Sequence, residues 1–219
     1  RVVDYQIATT TTDAMVSTIS KYGKLIRSTN GVEVVTSQMP NPTLEMADIL
    51  SNIPLNPTNT SGFEMGLRAA ELAITQFGSQ FMRPNVQLAV MILSDEEDQS
   101  CTAGEGCRGS GGVPANMQIS TSYYANFFKI QANAITVYPI VGLPTDNCSN
   151  VYSKGLRYLE LQKLLGIGMT GSICQNKLDE SFQNIARELS GLVCYKLSKV
   201  ATGGNMQVRV DSGETPRDS

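Results

Sequence analysis

The sequence predicts an α/β fold: a mostly parallel central sheet with helices on both of its faces. Three observations predict it. Two runs, residues 86–93 and 135–141, are nearly all apolar, as strands buried on both faces are. Stretches with helical spacing lie between and after them. The resulting order of strand, helix, apolar strand, helix, apolar strand, helix is the alternation of an open α/β sheet.

Each element has its own reason. Residues 2–12 are β-favouring, with Val2, Val3, Tyr5, Ile7 and four consecutive threonines, and Asp13 ends the run. Residues 24–28 and 32–36 flank Asn30-Gly31, the strongest short hairpin signal, and predict an inserted β-hairpin. Thr43 is placed as the N-cap of a short helix over 44–53, which Pro54 stops. Thr60 or Ser61 is placed as the cap of the next helix. That helix carries Phe63, Leu67, Ala70, Ile74 and Phe77 on one stripe and ends at Gly78.

After the strand at 86–93 comes Ser94-Asp95-Glu96-Glu97-Asp98, then a Gly-rich loop over 102–112. A helix over 119–132 follows, in which alternate members of Tyr123, Tyr124, Phe127 and Phe128 enter the core. The second apolar strand contains Pro139, which cannot donate to a ladder and favours an edge position. Helices over 156–165 and 181–192 come next, then short strands over 193–197 and 206–210 and a polar tail. The organisation is one domain over 1–200 and a C-terminal strand and tail over 201–219.

Composition excludes several functions. The chain has 219 residues, a net charge of −3 and 17% charged residues. Nucleic-acid binding calls for clustered Lys and Arg, which are absent. With no histidine, Ser-His-Asp and Cys-His catalysis and His-ligated zinc are excluded within the chain. No apolar run reaches the eighteen or so residues of a membrane span. The Gly109–Gly112 run lacks the lysine and the spacing of a P-loop.

In open α/β sheets ligands bind beyond the carboxyl ends of the strands. That rule points to Asp95, Glu96, Glu97 and Asp98, where the first apolar strand emerges. One reading is a solvated turn. The other is a site for a hard cation, since Mg²⁺ and Ca²⁺ take carboxylate and hydroxyl oxygens.

The order of the Thr58-x-Thr60-Ser61-Gly62 turn, an amphipathic helix, an apolar strand and Ser94-Asp95 resembles the von Willebrand factor type A domain. The run from Ile92 to Asp98 is similar to secreted or lipid-anchored bacterial members. The resemblance covers residues 2–197 and implies a Rossmann-like sheet with a divalent-metal adhesion site. Three motifs build that site in the family. Asp95 corresponds to the Asp after the central strand. The loop threonine corresponds to Thr60, with Thr58 and Ser61 as rivals. The Asp-x-Ser-x-Ser motif does not occur in the sequence. Its strand and helix are expected to precede Arg1, which makes this a mature or partial chain in which a lipid anchor upstream is an open expectation. The resemblance implies Mg²⁺ held by hydroxyls and carboxylates, with a coordination position left for an acidic side chain of a partner protein. It also implies weak or no binding by this chain's residues alone.

The cysteines number five. Their spacing supports bridges Cys101–Cys107 and Cys148–Cys174, with Cys194 free or paired outside the chain. Five reduced thiols are the competing reading. Bridges imply an oxidising compartment, so the location expected is periplasm, outer membrane or cell surface. Three functions compete. One is a non-enzymatic protein-interaction module at the metal edge. The second is a metal-independent structural subunit of a bacterial envelope assembly. The third, the weakest, is a hydrolase or phosphotransferase using Asp95–Asp98, for which no nucleophile with an adjacent base is identifiable from sequence.

Overall fold

Two sheets organise the computed structural model, which describes residues 3–14, 23–53, 64–101, 115–132, 134–166, 168–175 and 178–191. The first is an antiparallel pair, β1 (Gln6–Ala8) and β2 (Val34–Thr36), with Ile7 opposite Val35. The second is parallel, in the order β3 (Leu88–Leu93), β4 (Ile135–Val141), β5 (Gly171–Ser172). Five α-helices among the described residues accompany them: α1 (Pro42–Ser51), α2 (Gly66–Phe81), α3 (Thr121–Gln131), α4 (Leu156–Leu165) and α5 (Leu178–Gly191). The α/β class is as the sequence predicts.

The Asn30-Gly31 turn forms, but not as the neck of a two-stranded hairpin. Ser28 N–H bonds to Val32 O and Gly31 N–H to Ser28 O, both at 2.9 Å, with Gly31 at φ +83°. That is a three-residue loop whose last position needs the left-handed region, which glycine enters freely. The strand partner of β2 is β1, not residues 24–28. Those lie along the chain after β1, where Ile26 N–H bonds to Thr9 O. The β1–β2 register keeps Val35 buried while Ile7 stays partly exposed.

Helix ends depart from expectation for definable reasons. Pro42 sits in the first turn of α1, with Asn41 rather than Thr43 at the N-cap. Proline suits that position because its missing N–H would have no partner there. Helix α2 starts at Gly66 and runs through Gly78 to Phe81. No side chain of its own N-cap residue bonds to it. Its first amides are capped from elsewhere, as described below. Helix α3 follows the rule: Ser120 Oγ accepts Tyr123 N–H at 3.2 Å.

Helices pack on both faces of the parallel sheet. On one face Leu67 and Ile74 of α2, Tyr124 and Phe128 of α3 and Tyr158 and Leu161 of α4 enclose Ile92, Ile135, Val137 and Val141. On the other, Ile185 of α5 packs on Tyr138 and Ile140. Tyr124 and Phe128 are fully buried and Tyr123 is exposed, so the aromatic cluster divides between core and surface. Burying one such ring contributes roughly 1.5–3 kcal/mol.

Two strand expectations are corrected. Strand β3 is buried on one face only: Ala89, Met91 and Leu93 are exposed, because α5 covers β4 rather than β3. Strand β4 is buried along its whole length and lies between its neighbours, despite Pro139. The ladder explains the tolerance. Ser94 N–H bonds to Ile140 O, and Ile173 N–H to Val141 O. Odd-numbered residues of β4 therefore face β5, and β5 begins opposite Ile140, one residue past the proline. Pro139 has no ladder partner to disappoint. Residues 193–197, 206–210 and the tail, the 102–112 loop, Thr58, Thr60, Ser61, Cys107 and Cys194 lie outside the described residues.

Candidate functional site

The acidic run after β3 is divided between structure and surface. Asp98 is fully buried. Its Oδ1 accepts Leu67 N–H at 3.0 Å and the Ser100 hydroxyl at 2.7 Å. Ser100 Oγ in turn accepts Arg68 N–H at 2.9 Å. The open amides at the start of α2 are thus satisfied from a distant loop, where a carboxylate also suits the positive end of the helix. On its other side Asp98 Oδ2 meets Arg157 Nε at 3.1 Å. Arg157 also donates to Gln118 Oε1 and to Ile119 O. Burial raises the Asp98 carboxyl above its usual range, against the pull of the Leu67 N–H, Ser100 and Arg157.

Glu97 serves α4 in the same way. Its carboxylate accepts Leu156 N–H and Arg157 N–H, each at 3.0 Å, and Asp98 N–H at 2.9 Å. Burial raises this carboxyl too, opposed by those three amides. One short loop therefore caps two helices and ties both to the end of β3. The bridge to Gln118 and Ile119 brings the entry to α3 into the same knot.

Asp95 is different. It is exposed, and the group the fold uses is its backbone carbonyl, which accepts Tyr152 N–H at 2.9 Å and Ser153 N–H at 3.1 Å. Glu97 N–H donates to Ser153 Oγ at 2.7 Å. Next to Asp95, the Ser94 hydroxyl is held between Glu64 Oε2 and Glu96 O. Glu64 stands just before α2, and its backbone carbonyl accepts Gln99 N–H. Burial raises the Glu64 carboxyl; Asp95 and Glu96 raise it further, and the Ser94 and Thr12 hydroxyls oppose. Glu96 is raised by burial first and by Asp95 second. Tyr152 is highly exposed beside this edge.

Of the sequence-predicted site residues, Asp95 is where the α/β rule puts a ligand-facing group, at the carboxyl end of a parallel strand. Thr58, Thr60 and Ser61 lie outside the described residues. The donor atoms at this edge are all oxygen, which suits a hard cation in kind. Among the described residues, however, no three Asp, Glu or Cys side chains gather closely enough to hold a metal ion. Sequence reasoning missed Glu64, Arg157 and Tyr158, whose hydroxyl accepts Gly66 N–H at 3.2 Å. Arg157 had a signal: a cation in the first turn of a helix opposes the helix dipole and needs a specific partner. Glu64 had none.

The Cys148–Cys174 bridge is present as expected, joining the loop after β4 to the residues after β5. Cys101 is disulfide-bonded as well. No helix among the described residues is long and apolar enough to cross a membrane. Compared with known proteins, the chain matches no family model, no curated protein and no solved structure.

Proposed function

We propose that this chain is a non-enzymatic, extracytoplasmic protein-interaction module whose contact surface is the carboxyl edge of the parallel sheet around Asp95. The fold proposed is a Rossmann-like sheet of the von Willebrand type A kind. The observation that carries the reading is the division of labour in the acidic run. Glu97 and Asp98 are consumed in capping α2 and α4, while Asp95 is left exposed at the strand end. The Cys148–Cys174 bridge supports an oxidising compartment.

Two versions of the contact are distinguishable. In one, Mg²⁺ is held by Asp95 together with Thr60, Thr58 or Ser61, and an acidic side chain of the partner completes its shell. In the other the edge binds without metal, as a structural subunit of an envelope assembly. The test is retention of proteins from the source cell's envelope extract on the immobilised chain, compared with Asp95→Ala. Partners lost on Asp95→Ala and on chelation support the metal version. Partners lost on Asp95→Ala but kept under chelation support the metal-free version. The same partners held by wild type and Asp95→Ala would refute the edge as the contact surface.

A further inference from the structure

The loop between β4 and α4, residues 142–155, touches both ends of the parallel sheet's carboxyl edge. Toward β5 it is tied by Asp146, whose Oδ2 accepts the Ser172 hydroxyl at 2.6 Å and Leu143 N–H at 2.7 Å. Lys154 Nζ donates to Asp146 O. Toward β3 it is tied by Tyr152 and Ser153, whose amides hold the Asp95 carbonyl, and by Ser153 Oγ, which accepts Glu97 N–H. Between these ties stands Cys148, bonded to Cys174 across a sequence separation of 26 residues. Val151 N–H bonds back to Cys148 O at 3.3 Å, so the bridge lies only one turn of chain from the Asp95 contact.

Within the loop, Asp146 N–H bonds to Leu143 O and Gly155 N–H to Gly142 O, both at 3.0 Å. The loop contains no helix or strand, and Pro144, Thr145, Asn147, Ser149, Asn150 and Tyr152 are exposed. Few buried apolar contacts and solvent-accessible hydrogen bonds are the marks of a segment that opens locally at low cost. Both bridged cysteines are half-buried rather than sealed in the core.

We infer that Cys148–Cys174 is a redox tether for the Asp95 edge: oxidised, it fixes the loop that holds Asp95, and reduced, it lets that loop open. The step needs a dithiol reductant. One of its thiolates attacks a bridge sulfur and releases the other cysteine as a thiolate. Its second thiol then displaces the protein from the mixed disulfide. Two electrons and two protons pass to the protein, which carries two thiols, and the reductant leaves as its own disulfide. The regulatory meaning rests on the Asp95 edge being the contact surface. The physical coupling does not.

The experiment is amide hydrogen exchange on the whole chain, comparing wild type with Cys148→Ser/Cys174→Ser, which leaves the Cys101 bridge in place. A second arm uses wild type treated with dithiothreitol, with the reduced bridge identified by alkylation and mass mapping. The expected result in both arms is exchange roughly tenfold or more faster at the amides of Tyr152, Ser153 and Glu97, with β4 unchanged. Unchanged exchange at those three amides would overturn the tether. So would faster exchange across β4, because the bridge would then hold the whole fold rather than the loop. No partner enters the readout, so this test and the Asp95→Ala retention test fail independently.

Discussion

Replacing Arg157 by Met is the sharpest test of the knot that joins β3, α2 and α4. The side chain of Arg157 is 14% exposed and that of Asp98 is fully buried, with 3.1 Å between Nε and Oδ2. Deleting one partner of a buried pair leaves an uncompensated charge, which costs about 3–5 kcal/mol. Asp98 keeps the Leu67 N–H and the Ser100 hydroxyl and can take up a proton, so the lower end applies. For a chain of this size about 3 kcal/mol lowers Tm by roughly 6–12 °C. The penalty has a pH signature. Burial already holds the folded-state value of Asp98 above the ordinary 3.8, and loss of Arg157 raises it further. An acid whose folded value is raised is most favourable to folding below its unfolded value and loses that contribution as pH rises through the folded value. The deficit of Arg157→Met is therefore smallest below about pH 4 and grows toward neutrality. Adding Asp98→Asn recovers part of it, since removing both partners costs less than removing one. Denaturant unfolding of wild type and the two variants across pH is the assay. A loss under about 1 kcal/mol that does not vary with pH would refute the reasoning.

Other expectations follow from the same geometry. Glu64→Gln removes an acid whose folded value is raised by burial and by Asp95 and Glu96, so stability above its unfolded value of 4.5 falls less steeply with pH than in wild type, read from Tm against pH. Gly168→Ala is severely destabilising, because Gly168 has φ +117° and a Cβ there would stand 2.2 Å from Val137 O; Gly31→Ala, strained in φ but open in space, costs only about 1 kcal/mol by the same melting assay. Ser120→Ala loses the α3 cap and about 1 kcal/mol, measured by chemical denaturation.

Much of the fold was legible where pattern and punctuation agree. Helix α4 and strand β4 have the predicted bounds, because each is a strongly periodic or nearly all-apolar run between turn residues. Strand β5 was not foreseen: Gly171-Ser172 has no strand pattern and is recruited only by the edge of β4. The start of α2 was misplaced because its caps come from Asp98 and Ser100, about thirty residues away, and local rules see only neighbours. The one-sided burial of β3 was hidden for the opposite reason. An all-apolar run says what a strand can bury, not which helix covers it. At the site, the position of Asp95 followed from topology. The roles of Glu97 and Asp98 did not, since the four adjacent carboxylates from Asp95 to Asp98 look alike in sequence, and only two of them meet a helix end.

The division of labour in the acidic run is the central claim, and partner retention by Asp95→Asn at matched stability tests it most directly. The account predicts a Tm within about 2 °C of wild type, as for a surface substitution, together with loss of the envelope proteins that wild type retains. Retention of the same proteins by an equally stable Asp95→Asn chain would contradict it.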